Sequence, residues 1–127
     1  MSLYRRLVVA AAVVMAPAVF AAAPKPDIEN GMTTFTQQCG ICHGVTREQG
    51  PLLGPNLLGV VGRKPGADKN FPSYSTSLKD YKVTWNAKTL DEFLANPMSK
   101  VPGTTMPMMI PDAKTRADVV AYLATLK

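Results

Sequence analysis

The sequence predicts an all-α domain, and three observations carry that expectation. No stretch of useful length alternates apolar and polar residues as a half-buried strand must. Capping residues precede two of three candidate helices, and two of the three repeat apolar residues at three- and four-residue intervals. The chain also holds 9 Gly and 11 Pro, a high share for a helical domain, which predicts long irregular loops between short helices. Such loops need a surface to pack against, and a buried cofactor would supply one. There is no internal repeat and no low-complexity segment.

The elements follow in order. Arg5 and Arg6 precede apolar residues 7–20 and then Ala21, Ala22 and Ala23, the pattern of a secretory signal peptide. The apolar run is 14 residues long and contains Pro17, whereas a bilayer span needs roughly 20 apolar residues. A membrane anchor is therefore the weaker reading. Cleavage is expected after Ala21, within one or two residues, because Val19 and Ala21 suit the peptidase and a cut after Ala23 would leave Pro24 at the terminus. The flanks Leu3-Tyr4 and Leu7-Val8 lack the rest of a twin-arginine pattern, so export unfolded is favoured. This assigns 1–21 to the signal peptide and 22–127 to one domain with a modest core. Loss of Arg5 and Arg6 lowers the formal net charge from +5 to +3. So mild a charge excludes the dense basic patch of a nucleic-acid binder.

Residues 22–26 read as an extended leader, and Asp27 caps a first helix running through Phe35 to about Gly40. From 44 to 83 Gly and Pro recur too often for long elements, with one short helix expected over 74–79. A third helix begins near Asn86, sets Leu90, Phe93 and Leu94 at helical spacing, and stops before Pro97. Residues 96–111 read as loop, holding Pro97, Pro102, Gly103, Pro107, Pro111 and four methionines. Asp112 then caps the last helix, with Val119, Tyr122, Leu123 and Leu126 on one face.

One motif carries the chemistry. Cys39-Gly40-Ile41-Cys42-His43 has the C-x-x-C-H spacing of a c-type haem attachment site. Two thiols three positions apart can each add to one vinyl group of a haem, and the adjacent histidine then sits beneath the iron. A structural disulfide, a redox-active thiol pair and half of a zinc site compete with this. Zinc needs further Cys or His ligands, yet the chain has 2 Cys and 1 His. A thioredoxin-like pair belongs in a βαβ context, and no strand is predicted. With a single histidine, the sixth iron ligand is Met, Lys or nothing. Met106 is the best candidate, because the Pro102-Gly103 turn can carry its thioether back over the haem. Met98, Met108 and Met109 read as adaptable packing.

From Gly31 onward the chain resembles a class I cytochrome c of the soluble mitochondrial and bacterial type. Besides residues 39–43, the likeness rests on Gly54-Pro55-Asn56-Leu57-Leu58-Gly59, Gly62-Arg63-Lys64, Tyr74, Thr84-Trp85, Asn96-Pro97 and Pro102-Gly103-Thr104 before Met106. Gly31 and Phe35 match the first helix of the family, and Tyr122 and Leu123 the last. The resemblance implies crossed N- and C-terminal helices, with short helices and long loops wrapped around one covalent haem. It implies haem c held by thioethers at Cys39 and Cys42, with His43 and Met106 as axial ligands. It further implies that His43 Nδ1 donates to the Pro55 carbonyl, which fixes the ring. Arg63, Tyr74 and Trp85 would surround a haem propionate, with core packing as the competing account for the two aromatics. Thr104 would lie in the same pocket.

The function so implied is one-electron transfer between periplasmic or membrane redox proteins, with the periplasm as the compartment, no substrate transformed and no membrane span after cleavage. A monomer, or a haem subunit held within a dehydrogenase or oxidase complex, both agree with this. An enzyme or sensor with an open iron site would require Met106 to be off the iron. Two departures stand out. Phe93 replaces a tyrosine whose hydroxyl often reaches the methionine sulfur. Gln38, Leu52, Met98, Ser99 and Thr105 replace lysines that ring the haem edge in mitochondrial relatives. A flatter, more apolar contact surface is expected, unless remaining lysines such as Lys64, Lys69, Lys100 and Lys114 rebuild a basic rim elsewhere.

Overall fold

The computed structural model describes residues 13–18 and 21–127. Arg5, Arg6 and most of the expected signal peptide lie outside the described residues. Five helices form, α1 (Ile28–Gln38), α2 (Thr76–Lys79), α3 (Ala87–Ala95), α4 (Pro97–Lys100) and α5 (Ala113–Leu123), and no strand occurs among the described residues.

The capping side chains set the starts. The Asp27 carboxylate accepts the Asn30 N–H at 3.1 Å, and that of Asp112 accepts the Thr115 N–H at 2.8 Å. At α3, Asn86 and Thr89 bond each other's backbone N–H reciprocally, at 3.0 and 2.9 Å. Each pairing satisfies a donor that the first helical turn leaves without an internal partner. The short helix expected over 74–79 is confined to α2, because the cap is Ser75 rather than an earlier residue. The reading of 96–111 as loop throughout is corrected at α4. Pro97 stands at the first helical position, where its missing N–H costs nothing and its φ suits the turn, while Asn96 accepts the Ser99 N–H at 3.1 Å. The last helix ends before Leu126, which still packs half-buried against the core.

α1 packs mainly on α5, and α5 also meets α3. The crossing is close enough that a Cβ on Gly31 would lie 2.0 Å from the Asp118 carbonyl oxygen. Phe35 and Tyr122 stack at the same place, ring centroids 5.5 Å apart. Phe35, Leu90, Phe93, Leu94, Val119 and Leu123 form the centre of the core.

Asp118 is the feature that no local pattern announces. Its side chain is fully buried at the crossing. It accepts the Asp27 N–H at 2.8 Å, the Asn30 amide at 2.7 Å and the Lys114 ammonium at 2.6 and 2.7 Å. Lys114 above all, then the Asp27 and Asn30 donors, pulls its pKa from 3.8 to about 2. A carboxyl depressed in the folded state contributes stability that is present above about pH 4 and lost as pH falls toward 2. Asp118→Asn is therefore expected to unfold at lower denaturant than the parent above pH 4, with the gap narrowing toward pH 2. A gap independent of pH would assign the loss to packing instead.

Candidate functional site

The end of α1 delivers the motif to the interior. Cys39 closes the helix, and its carbonyl accepts the N–H groups of Cys42 and His43, each at 3.0 Å, so the chain turns tightly there. The Gly54 N–H donates to the Cys42 carbonyl at 2.8 Å, which brings the loop carrying Pro55 alongside. The His43 ring packs on Gly54 so closely that a Cβ there would be 2.5 Å from Cε1.

His43 Nδ1 lies 2.7 Å from the Pro55 carbonyl oxygen. A carbonyl can only accept, so Nδ1 carries the proton and Nε2 keeps its lone pair. Burial holds the His43 pKa below the ordinary 6.5; the Pro55 bond opposes that, and the Arg63 charge adds to it. A neutral imidazole with one free lone pair is the form that binds a metal. Burial, and then the neighbouring Cys42, push the Cys39 thiol up to about 11. A redox-active thiol pair needs the opposite shift. The two sulfurs are not joined to each other.

A second wall comes from the segment after α4. Gly103 turns the chain at φ +92°, a conformation that suits glycine. Thr104 is buried, its N–H donates to Val101 at 3.0 Å, and its hydroxyl lies 3.4 Å from the Met106 N–H. At the far end the Ile110 N–H donates to the Leu94 carbonyl at 2.8 Å. Met106 is thus carried on a strap pinned at both ends.

Polar groups gather on a third wall. Arg63 donates to the carbonyls of Asn56 at 2.7 Å and Leu58 at 3.3 Å. Its own carbonyl accepts the Trp85 N–H at 2.9 Å, and the Trp85 carbonyl accepts the Gly62 N–H at 2.7 Å. The Tyr74 hydroxyl accepts the Asp68 N–H at 3.3 Å, which leaves its own proton to donate. Burial raises the Tyr74 pKa above 10. The Trp85 ring packs 5.2 Å from that of Phe93.

These walls enclose a cavity of about 350 Å³. Cys39, Cys42, His43, Pro55, Arg63, Tyr74, Trp85, Thr104 and Met106 all line it. Phe93 lines it as well and brings no hydroxyl. Of the other three loop methionines only Met108 reaches the cavity; Met98 and Met109 do not. Leu53, Leu57, Phe71 and Leu78 also line it, and none was singled out from the sequence as a site residue. For Leu53, Phe71 and Leu78 the only signal was apolarity within the loop-rich stretch, which many surface loops share, while Leu57 also stood in the run from Gly54 to Gly59 that carries the resemblance. An apolar cavity with two thiols, an imidazole lone pair and a thioether on its walls fits a haem held through sulfur and ligated by nitrogen and sulfur.

Comparison with known proteins agrees. The family model described as Cytochrome c matches residues 28–127. A cytochrome c of Cannabis sativa is 41% identical over 109 residues, covering 84% of this chain and 96% of its own. A cytochrome c2 of Rhodomicrobium vannielii is 41% identical over 118 residues, covering 92% of this chain and 90% of its own. A cytochrome c type-1 of Ascaris suum is 41% identical over 101 residues, covering 79% and 88%. The match spans every helix described above, and proteins of this kind carry electrons on one covalent haem c. The chain belongs to the cytochrome c family, with the class I fold and one haem c as its cofactor.

Proposed function

We propose that this protein is an exported one-electron carrier whose haem is bonded to Cys39 and Cys42 and whose iron is ligated by His43 and Met106. The observation that carries the reading is the convergence of these four side chains, from two distant segments, on one apolar cavity. When bound, the haem supplies the ferric–ferrous couple. The protein's part is to hold both ligands still. Pro55 and Gly54 fix the imidazole plane, and the anchored strap fixes the thioether, so little reorganises as the charge changes. A thioether and an imidazole as the iron's protein ligands would favour the reduced iron and so raise the potential. Tyr74 and Trp85 offer O–H and N–H donors toward haem carboxylates; two of the Arg63 nitrogens are already engaged with backbone carbonyls.

Residues 1–21 are proposed as a cleaved signal peptide and the periplasm as the compartment, on the pattern of Arg5, Arg6 and the apolar run that follows. Haem attachment to paired thiols also suits export. No helix among the described residues is long and apolar enough to cross a membrane. The partners are redox proteins that give and take the electron.

Acidified acetone is expected to leave the haem on the polypeptide, and to extract it from a variant carrying Cys39→Ala with Cys42→Ala. Free haem in the solvent from the parent protein would overturn the thioether assignment.

A further inference from the structure

The strap that carries Met106 ends in a knot tied by one side chain. Four residues beyond the thioether, the Ile110 carbonyl accepts from an Arg116 terminal nitrogen at 2.9 Å, and the Pro111 carbonyl accepts from the same nitrogen at 3.0 Å. The Nε of that guanidinium donates to the Asp91 carboxylate at 2.6 Å. Arg116 stands on α5 and Asp91 on α3, so a single guanidinium joins both helices to the strap. The Arg116 side chain is only 12% exposed, and Ile110 is buried. Water competes little for such bonds, and a charged donor strengthens them.

The arrangement calls for a guanidinium. Its planar fork gives Nε to the carboxylate and a second nitrogen to the two carbonyls at once, whereas an ammonium offers all its protons from one point. The other end of the strap has no comparable tie. There Lys100 pairs with Glu92 at 2.5 Å and joins α4 to α3, but the two side chains are 37% and 35% exposed. Exposed pairs of that kind stabilise little.

Asp91 belongs to the helix that also builds the site. Leu90, Phe93 and Leu94 of α3 line the haem cavity, and the Leu94 carbonyl accepts the Ile110 N–H at 2.8 Å. The strap end therefore hangs from α3 twice, directly through that bond and indirectly through Arg116. We propose that Arg116 is a positioning residue for the Met106 ligand: with Asp91 it fixes the end of the strap and so sets how rarely the thioether leaves the iron. The inference rests on the reading of Met106 as axial ligand. Without the fork, the Ile110 and Pro111 carbonyls lose their charged donor, and the Leu94 bond alone holds that end. The strap can then lift from its far end while the packing of α1 on α5 stays intact.

Imidazole binding to the ferric holoprotein tests this. Imidazole takes the sixth position of the iron only when the strap has opened, so its apparent affinity rises with the open fraction. Loss of the charge-transfer band at the red end of the spectrum reports it. Arg116→Gln is expected to bind imidazole about tenfold more tightly than the parent, as loss of hydrogen bonds from a charged donor implies. Arg116→Lys should not restore the parent value, because the fork is gone. Asp91→Asn leaves an uncharged acceptor for Nε and should shift the affinity the same way by less; it carries the test if the Arg116 variants do not fold. Asp118→Asn weakens the α1–α5 crossing without touching the knot, and should lower stability while leaving imidazole affinity unchanged. Amide exchange of Ile110 should speed in Arg116→Gln, and that of Leu123, in the last turn of α5, should not. Unchanged imidazole affinity in Arg116→Gln and Asp91→Asn would overturn the proposal. So would an equal gain in Asp118→Asn, which would mark a general loss of stability, or full rescue by Arg116→Lys. Failure of the ligand reading looks different: the band would then be absent from the parent or survive in Met106→Ala.

Discussion

Met106→Ala is expected to abolish the weak charge-transfer band that methionine ligation places at the red end of the ferric spectrum. It should also lower the reduction potential by an appreciable part of the roughly 0.8 V over which axial ligands set haem potentials. The strap gives the reason. It is pinned by Thr104 at one end and by Ile110 at the other, and Met106 is half-buried against the core between them. On the proposed ligation, loss of the thioether would leave the iron open or bound by a harder donor, and either outcome would stabilise the ferric state. Met108 provides the control, because it lines the same cavity at 40% exposure. Met108→Ala should spare the band, as should Met109→Ala. The reverse pattern, with the band kept in Met106→Ala and lost in Met108→Ala, would move the ligand two residues along the strap.

Gly31→Ala is expected to destabilise the fold by about 3 kcal/mol, the upper part of the range for overpacking a core. The added Cβ would sit 2.0 Å from the Asp118 carbonyl oxygen and 2.5 Å from its carbon. Both are backbone atoms, so no side chain can swing aside to make room. The helices would have to part, which would loosen Phe35 against Tyr122 and draw Asp118 away from Asp27 and Asn30. Denaturant titration should show a lower midpoint with an unchanged slope. A loss below about 1 kcal/mol would mean that the crossing is looser than these distances require.

What could be read directly was local. A helix start is written in three or four residues, because the cap side chain bonds the backbone one turn ahead. Asp27 and Asp112 were legible for that reason. The motif from Cys39 to His43 was legible because its chemistry lies in its spacing. α4 was missed because Pro97, Pro102 and Gly103 in close succession argue for loop, while Pro97 itself is well placed at a first helical position. The edge charges were legible as residue types, yet the type did not say which of them stand at the mouth.

The sequence by itself determined the class, the cofactor chemistry and the boundaries of every helix but α4 to within a few residues, because each follows from contacts between near neighbours in the chain. Only the tertiary structure decided the rest. Asp118 reads as an ordinary surface carboxylate on a helix, and its burial depends on Asp27, 91 residues away. Met106 and His43 meet at one cavity only because the crossing of α1 and α5 brings their segments together. Leu53 and Met108 are apolar residues like many others until the cavity opens between them. The physical reason is common to all three: burial and ion pairing are properties of surfaces that exist once distant segments have packed, and no local pattern encodes which segments those are.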